Sequence, residues 1–201
     1  MTMGKSISHE ASGGLFVGWA EGDITPQQPV QLSGQFHARV SEGVRDRLTV
    51  TALAMGSEIE HVVMVSCDLI SISKELSIEV RQRIERWTEG PKAEMVILNA
   101  THTHTAPETR MPTQIAEHMS SRGSGVDLPV MEVADYNCFA ADVITDVILE
   151  AWNKRKLGGI SYGLGYAVVG RNRRWVNDAG ASTMYNFEYI EQQGISPYRG
   201  L

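Results

Sequence analysis

The chain has 201 residues, 42% hydrophobic and 21% charged, a balance that suits one domain or part of a larger one. A core of that size can be buried without disulfides or structural metals, and the formal charge of -6 gives no electrostatic support for nucleic-acid binding. No stretch is long and apolar enough to cross a membrane. The opening Met1-Thr2-Met3-Gly4-Lys5 lacks the apolar run of a signal peptide, so the chain is expected to stay in the cytoplasm or to take its export signal from elsewhere.

In chain order, Met1 to Gly14 is polar and Gly/Ser-rich and reads as a disordered leader. Residues 15–201 show no internal repeat or domain linker and read as one continuous stretch of a domain. Leu15 to Ile24 is β-like and is closed by Thr25-Pro26, where the proline favours extended geometry. Gln27 to Gly43 is loop-rich and contains Gly34, His37 and Arg39. Leu48 to Met55 and His61 to Cys67 are apolar runs around a Gly56-Ser57-Glu58 turn, which predicts two antiparallel neighbours.

Ser73 to Trp87 carries the strongest helical period, with Leu76, Val80, Ile84 and Trp87 on one stripe. Ser73 is its cap, Gly90-Pro91 its stop, and its charged residues are expected to form a solvated face. Met95 to Ala100 is a third strand, so strand, helix and strand predict a parallel crossover. Thr105 to Val130 is a long loop of the kind that is functional or disordered. Tyr136 to Lys154 is a second helix, with Val143, Val147, Ile148, Ala151 and Trp152 on its apolar face, and Ile160 to Val169 reads as a glycine-interrupted strand. Cys67 and Cys138 form no CxxC pair and read as buried small apolar residues. The fold class expected is α/β, with layered mixed sheets flanked by helices.

The polar segment Thr101-His102-Thr103-His104 directly continues the third strand. Residues two apart on a strand share a face, so His102 and His104 are expected to project together, about 7 Å apart along the strand. Two neutral imidazoles on one face can share or flank a metal ion, and strand ends in α/β sheets favour ligands. An exposed His-x-His on an edge strand needs no function, so both readings stand on pattern alone. A catalytic zinc takes three protein ligands and water, which one strand cannot supply.

The run Asn99-Ala-Thr-His-Thr-His-Thr-Ala-Pro107 resembles the Thr-His-Thr-His-Ser-Gly-Pro segment of the neutral/alkaline (non-lysosomal) ceramidase family. Other segments resemble that family in order: Gly18-Trp19-Ala20-Glu21-Gly22-Asp23-Ile24-Thr25, Gly43-Val44-Arg45-Asp46-Arg47-Leu48, Val65-Ser66-Cys67-Asp68-Leu69 and Asn172-Arg173. The resemblance implies a zinc-dependent hydrolase of a linear amide bond in a small-molecule or lipid substrate. It implies that His102 binds Zn2+, that His104 binds or polarises the scissile carbonyl, and that Arg173 holds the oxyanion. That chemistry is coherent, since zinc acidifies water and a cation with an imidazole stabilises the developing charge. On charge alone Arg171, Arg174 and Arg110 compete with Arg173.

Members of that family are much longer, and their remaining zinc ligands, a distant His, a Glu and a Tyr, lie downstream of the Asn-Arg pair. The residues after Tyr185 match none of that, and His118 lies too near the pair and reads as a loop residue. The chain is therefore expected to hold the N-terminal part of the catalytic domain and an incomplete site. An amidohydrolase barrel is disfavoured because three or four strands precede the pair, whereas a barrel places it on the first. A non-catalytic module that keeps the fold without metal is the remaining alternative.

Overall fold

The computed structural model describes residues 14–34, 37–111, 129–167, 174–176, 179–180 and 182–184. By its internal contacts the chain divides into two compact units, Met1–Ile160 and Ser161–Leu201.

The first unit is built on a five-stranded mixed sheet. Strand β1 (Leu15–Asp23) pairs antiparallel with β2 (Thr49–Gly56), and β2 pairs antiparallel with β3 (His61–Cys67). Helix α1 (Lys74–Ile84) and a 3-10 turn (Ala93–Met95) carry the chain to β4 (Val96–Ala100), which lies parallel to β3. Helix α2 (Val133–Asn153) then leads to the short β5 (Lys156–Gly158), antiparallel to β1. The order across the sheet is β4-β3-β2-β1-β5. The α/β class, the hairpin and the parallel crossover are those expected from the apolar runs. No helix among the described residues is long and apolar enough to cross a membrane.

Alternation decides which face each strand buries. Val50, Ala52 and Ala54 of β2, Val63, Val65 and Cys67 of β3 and Ala20 of β1 point to the helical side and are buried. There they meet Leu76, Val80 and Ile84 of α1 and Ala140, Ala141, Ile144, Val147, Ile148 and Ala151 of α2 in one core. Each buried Leu, Ile or Val contributes roughly 1.5–3 kcal/mol. Helix α2 lies very close to β1, and glycines make room for it. A Cβ on Gly18 would stand 2.3 Å from the Ala151 carbonyl oxygen, and one on Gly22 would stand 2.6 Å from Val147.

Helix α1 starts where Ser73 accepts a hydrogen bond from the Leu76 amide at 3.3 Å. Its charges correct the expectation of a purely solvated face. The Arg81 guanidinium donates to the Ala93 and Val96 carbonyls, fixing the 3-10 turn against the helix. Arg83 bonds Glu79 at 2.7 Å, pairs with Asp142 of α2 and donates to the Cys138 sulfur at 3.3 Å. Trp87 ends the apolar stripe 58% exposed.

Two further expectations are corrected. Cys67 is buried, and burial pushes its thiol up to about 12, but Cys138 is exposed. The expected strand from Ile160 to Val169 is absent over residues 160–167, which pair with no strand, and the strand after α2 is Lys156–Gly158 instead. Glycines at 159, 163 and 165 leave that stretch without the side chains that would favour a ladder. In the second unit β6 (Arg174–Val176) and β7 (Ser182–Met184) form an antiparallel pair. The leader to residue 13, His118 and residues 185–201 lie outside the described residues.

Candidate functional site

The end of the sheet where β1, β3 and β4 finish is the polar one. Asp68 follows β3 and ties three strands together there. One carboxylate oxygen accepts from the Thr49 amide at 2.9 Å and the Thr49 hydroxyl at 2.8 Å, and the other accepts from the Thr101 hydroxyl at 3.1 Å. Past Ala100 the chain stays attached to the β3 extension: the Thr101 amide donates to the Cys67 carbonyl and the His102 amide to the Leu69 carbonyl.

The two histidines do converge, but not by strand alternation. β4 ends at Ala100, and His102 adopts φ 65°, a left-handed conformation that is uncommon for a residue with a side chain. The turn brings the imidazoles edge to face, with ring centroids 5.0 Å apart. Both rings are exposed. This corrects the expected straight spacing along a strand.

Each ring is fixed from behind by a backbone carbonyl. His102 Nδ1 lies 2.8 Å from the Ile70 oxygen, and His104 Nδ1 lies 2.8 Å from the Gly34 oxygen. A carbonyl can only accept, so both Nδ1 atoms carry the proton. In the neutral rings the Nε2 lone pairs are then free, the arrangement in which imidazole ligates metals. A neutral His104 ring accepts at Nε2, and it can donate there to a carbonyl only as imidazolium.

Gly34 is part of this arrangement, and the sequence marked it only as a loop glycine. Its φ is +93°, and a Cβ there would stand 2.7 Å from His104 Nδ1 and 2.5 Å from Ile70. Arg39 donates to the His104 carbonyl at 2.6 Å, while its Nε is buried without a hydrogen-bond partner among the described residues. An isolated bridge between Gln31 and Val40 closes this loop on itself, and one between Leu32 and Pro107 holds it to the segment after the histidines.

Glu108, 4% exposed, is a second anchor that the sequence did not reveal. It accepts from the Ser33 hydroxyl at 2.9 Å and from Arg110 Nε and Nη2 at 2.9 and 2.6 Å. Burial pushes its carboxyl up, but the bonds from Arg110 and Ser33 outweigh burial and hold it below the ordinary value. Arg110 is thereby committed to Glu108, which removes it as a competitor for an oxyanion. Arg171 and Arg173 lie outside the described residues, and of Arg174 only the backbone of β6 is described.

The residues fit a zinc ion in part. Two imidazoles with free Nε2 atoms are suitable donors, and the Gly34 cradle fixes one of them. Among the described residues no group of three or more His, Cys, Asp or Glu side chains could hold a metal, so a full catalytic ligand set is not assembled there. Beside the pair lies a cleft of about 840 Å³, walled by Thr103, Thr105, Pro107, Asp68, Leu32 and the stretches Thr25 to Val30 and Ser41 to Leu48. Thr103 and Thr105 line this cleft, and neither histidine does.

No protein-family model matches the chain, and no curated protein matches its sequence. Solved structures do match. The neutral ceramidase from Pseudomonas aeruginosa is 22% identical with a TM-score of 0.58, over 73% of this chain and 22% of that one. A ceramidase complexed with C2 is 20% identical with a TM-score of 0.52, again over 73% and 22%. The chain spans about a fifth of the length of these structures. Over the part they share, its fold is that of the neutral ceramidases.

Proposed function

We propose that this chain carries part of a zinc-dependent hydrolase centre that acts on a linear amide bond, of the kind cleaved in ceramidase-like N-acyl hydrolysis. The observation that carries this reading is the imidazole pair at the end of β4, with both Nδ1 protons held by backbone carbonyls and both Nε2 atoms free. The ceramidase-like fold around the pair supports it.

In this reading His102 holds the metal through Nε2. Zinc, when bound, supplies Lewis acidity to the amide carbonyl and to the attacking water. His104 stands beside it, oriented by Gly34, and binds or polarises the scissile carbonyl. Arg173 contributes the cation that holds the developing oxyanion. The remaining zinc ligands come from outside the described residues. The substrate is a small-molecule or lipid amide, consistent with a cleft walled by Pro26, Pro29, Val30, Val44 and Leu48 beside polar Thr103 and Thr105.

Zinc stoichiometry and affinity on the 201-residue chain test the site. The wild type is expected to bind zinc, and His102→Ala to weaken it by at least the roughly 10–100-fold seen when even indirect support of a ligand is lost. Unchanged occupancy in His102→Ala would remove His102 as a ligand. With zinc added, the chain alone is expected to hydrolyse N-acyl amides weakly or not at all. Robust, chelator-sensitive turnover would show that the ligand set is complete after all. A second reading, a module that keeps the fold without metal, rests on the lack of a group of three possible metal donors among the described residues, and a wild type that takes up no zinc would select it.

A further inference from the structure

Both ends of His104 are held from the loop that precedes β2. The Gly34 carbonyl accepts from its ring at 2.8 Å, and Arg39 donates to its carbonyl at 2.6 Å. The Leu32 amide donates to the Arg39 carbonyl at 2.8 Å, so these two supports belong to one closed loop. Where that loop sits against the segment after the histidines therefore decides where the imidazole points. The backbone ladder that seats it is short: the Ser33 amide donates to the Ala106 carbonyl and the Glu108 amide to the Gln31 carbonyl, each at 2.9 Å. Among the described residues its last rung on the loop side is at Ser33. The next residue, Gly34, has φ +93°, and a glycine backbone turns more freely than any other. The ladder alone leaves the direction of the Gly34 carbonyl soft.

A side-chain tie stands at that joint. The Ser33 hydroxyl donates to Glu108 Oε2 at 2.9 Å, and the two residues are only 2% and 4% exposed. The carboxylate is a rigid acceptor. Its Oε1 takes the Thr109 amide at 3.0 Å and the Arg110 amide and Nε at 2.9 Å each, and its Oε2 takes Arg110 Nη2 at 2.6 Å beside the Ser33 hydroxyl. A bidentate guanidinium fixes geometry as well as charge. We propose that Glu108 and Ser33 are positioning residues for His104. The buried carboxylate anchors the Ser33 hydroxyl, Ser33 steadies the Gly34 carbonyl, and that carbonyl keeps the proton on Nδ1 and leaves Nε2 free. A neutral imidazole carries its proton on either nitrogen, and the hydrogen bond at one decides which is free. The proposal rests on the reading of the pair as part of a hydrolase centre, which gives the orientation of His104 its use. His102 is held separately, by the Ile70 carbonyl at 2.8 Å, so this relay acts on one imidazole of the two.

Nitrogen NMR of the metal-free 201-residue chain, labelled at its histidines and held at one neutral pH, tests this. The His104 resonances are identified by their loss in His104→Gln. The wild type is expected to hold His104 as the Nδ1–H tautomer. In Ser33→Ala the ratio of Nδ1–H to Nε2–H at His104 is expected to fall by roughly two- to tenfold, the weight of about one ordinary hydrogen bond, with His102 unmoved. Glu108→Gln, which keeps the size and removes the charge that holds Arg110, is expected to move His104 in the same direction. Should Glu108→Gln misfold, Ser33→Ala alone decides. Arg83→Met, which loosens α1 from α2, is expected to lower the urea midpoint and leave His104 as in the wild type, so a loss of stability does not by itself move this signal. A wild-type tautomer ratio at His104 in Ser33→Ala overturns the proposal, as does an equal change at His102. Zinc uptake by the wild type is read apart from this. No uptake, with His104 disturbed in Ser33→Ala, overturns the hydrolase reading while the relay stands. Uptake with His104 undisturbed overturns the relay while that reading stands.

Discussion

At the scale of single residues, the His102–His104 pair depends on atoms that carry no side-chain signature. The carbonyls that hold the rings lie 32 and 70 residues away in sequence, on Ile70 and Gly34. Pattern reading brought the two imidazoles together but by the wrong route. It assumed a continuing strand, whereas the chain turns at His102, and nothing in residue type foretells a left-handed backbone at a histidine. Gly34→Ala tests the cradle directly. The methyl group would collide with the His104 ring at a backbone angle that alanine tolerates poorly. A loss of about 1–3 kcal/mol is expected from strain of this kind, read as a lower urea midpoint, together with weaker zinc binding. Unchanged stability and zinc affinity would show that the ring has another support.

His61 gives the same scale a pH dependence. Its Nε2 accepts from the Lys92 amide at 3.1 Å, and its ring meets the Trp152 edge at 4.7 Å. Burial lowers its pKa below the ordinary 6.5, Arg155 and Lys92 lower it further, and Glu94 opposes them. A depressed folded value means that the neutral ring is the one the fold prefers. Its contribution is complete above 6.5 and is lost as the pH falls from there through the folded value, because the unfolded chain takes up the proton first. Urea titrations on either side of that window are expected to show a midpoint that falls with acid, and less so in His61→Gln. An identical acid dependence in both proteins would assign the effect to other groups.

At the scale of elements, the strands and helices were legible because their periods were clean. β3 runs from His61 to Cys67 as read, and Ser73 caps α1 as read. What the period could not show is that α1 is also fastened by charge. Arg83 joins Glu79 on its own helix to Asp142 and Cys138 on α2, with its side chain 18% exposed. Arg83→Met keeps the length and removes these bonds, leaving Glu79 and Asp142 able to reach water. A cost of about 1–2 kcal/mol is expected, within the usual range for hydrogen bonds to charged groups, and stability unchanged by the substitution would show that the link is idle. Leu76→Ala, in the same helix but fully buried, is expected to cost about 2–5 kcal/mol. A loss under 1 kcal/mol would mean that the interior closes around the gap.

At the scale of the whole molecule, the core cluster and the imidazole pair belong to the unit ending at Ile160. A chain ending there is expected to unfold cooperatively at a urea midpoint close to that of the full chain. Loss of cooperativity would mean that residues 161–201 are needed to hold the sheet. The ordered set of segments from Gly18 to Asn172-Arg173 pointed to the ceramidases before any coordinates, and the fold agrees over 73% of the chain. The catalytic cation assigned by that resemblance, Arg173, lies outside the described residues, while Glu108 and the bond from Arg39 to the His104 carbonyl entered only with the structure. Their partners are set by how residues 31–34 and 37–40 pack against 104–110, which neither composition nor spacing encodes.

The left-handed backbone of His102 makes this position a place where stability and function pull apart. Glycine adopts that conformation freely, and an L side chain there costs on the order of 1–2 kcal/mol. Of two substitutions that both remove the imidazole, His102→Gly should therefore melt higher than His102→Ala. Random mutagenesis selected only for a sturdier fold would drift towards glycine at residue 102 and discard the group proposed to hold the metal.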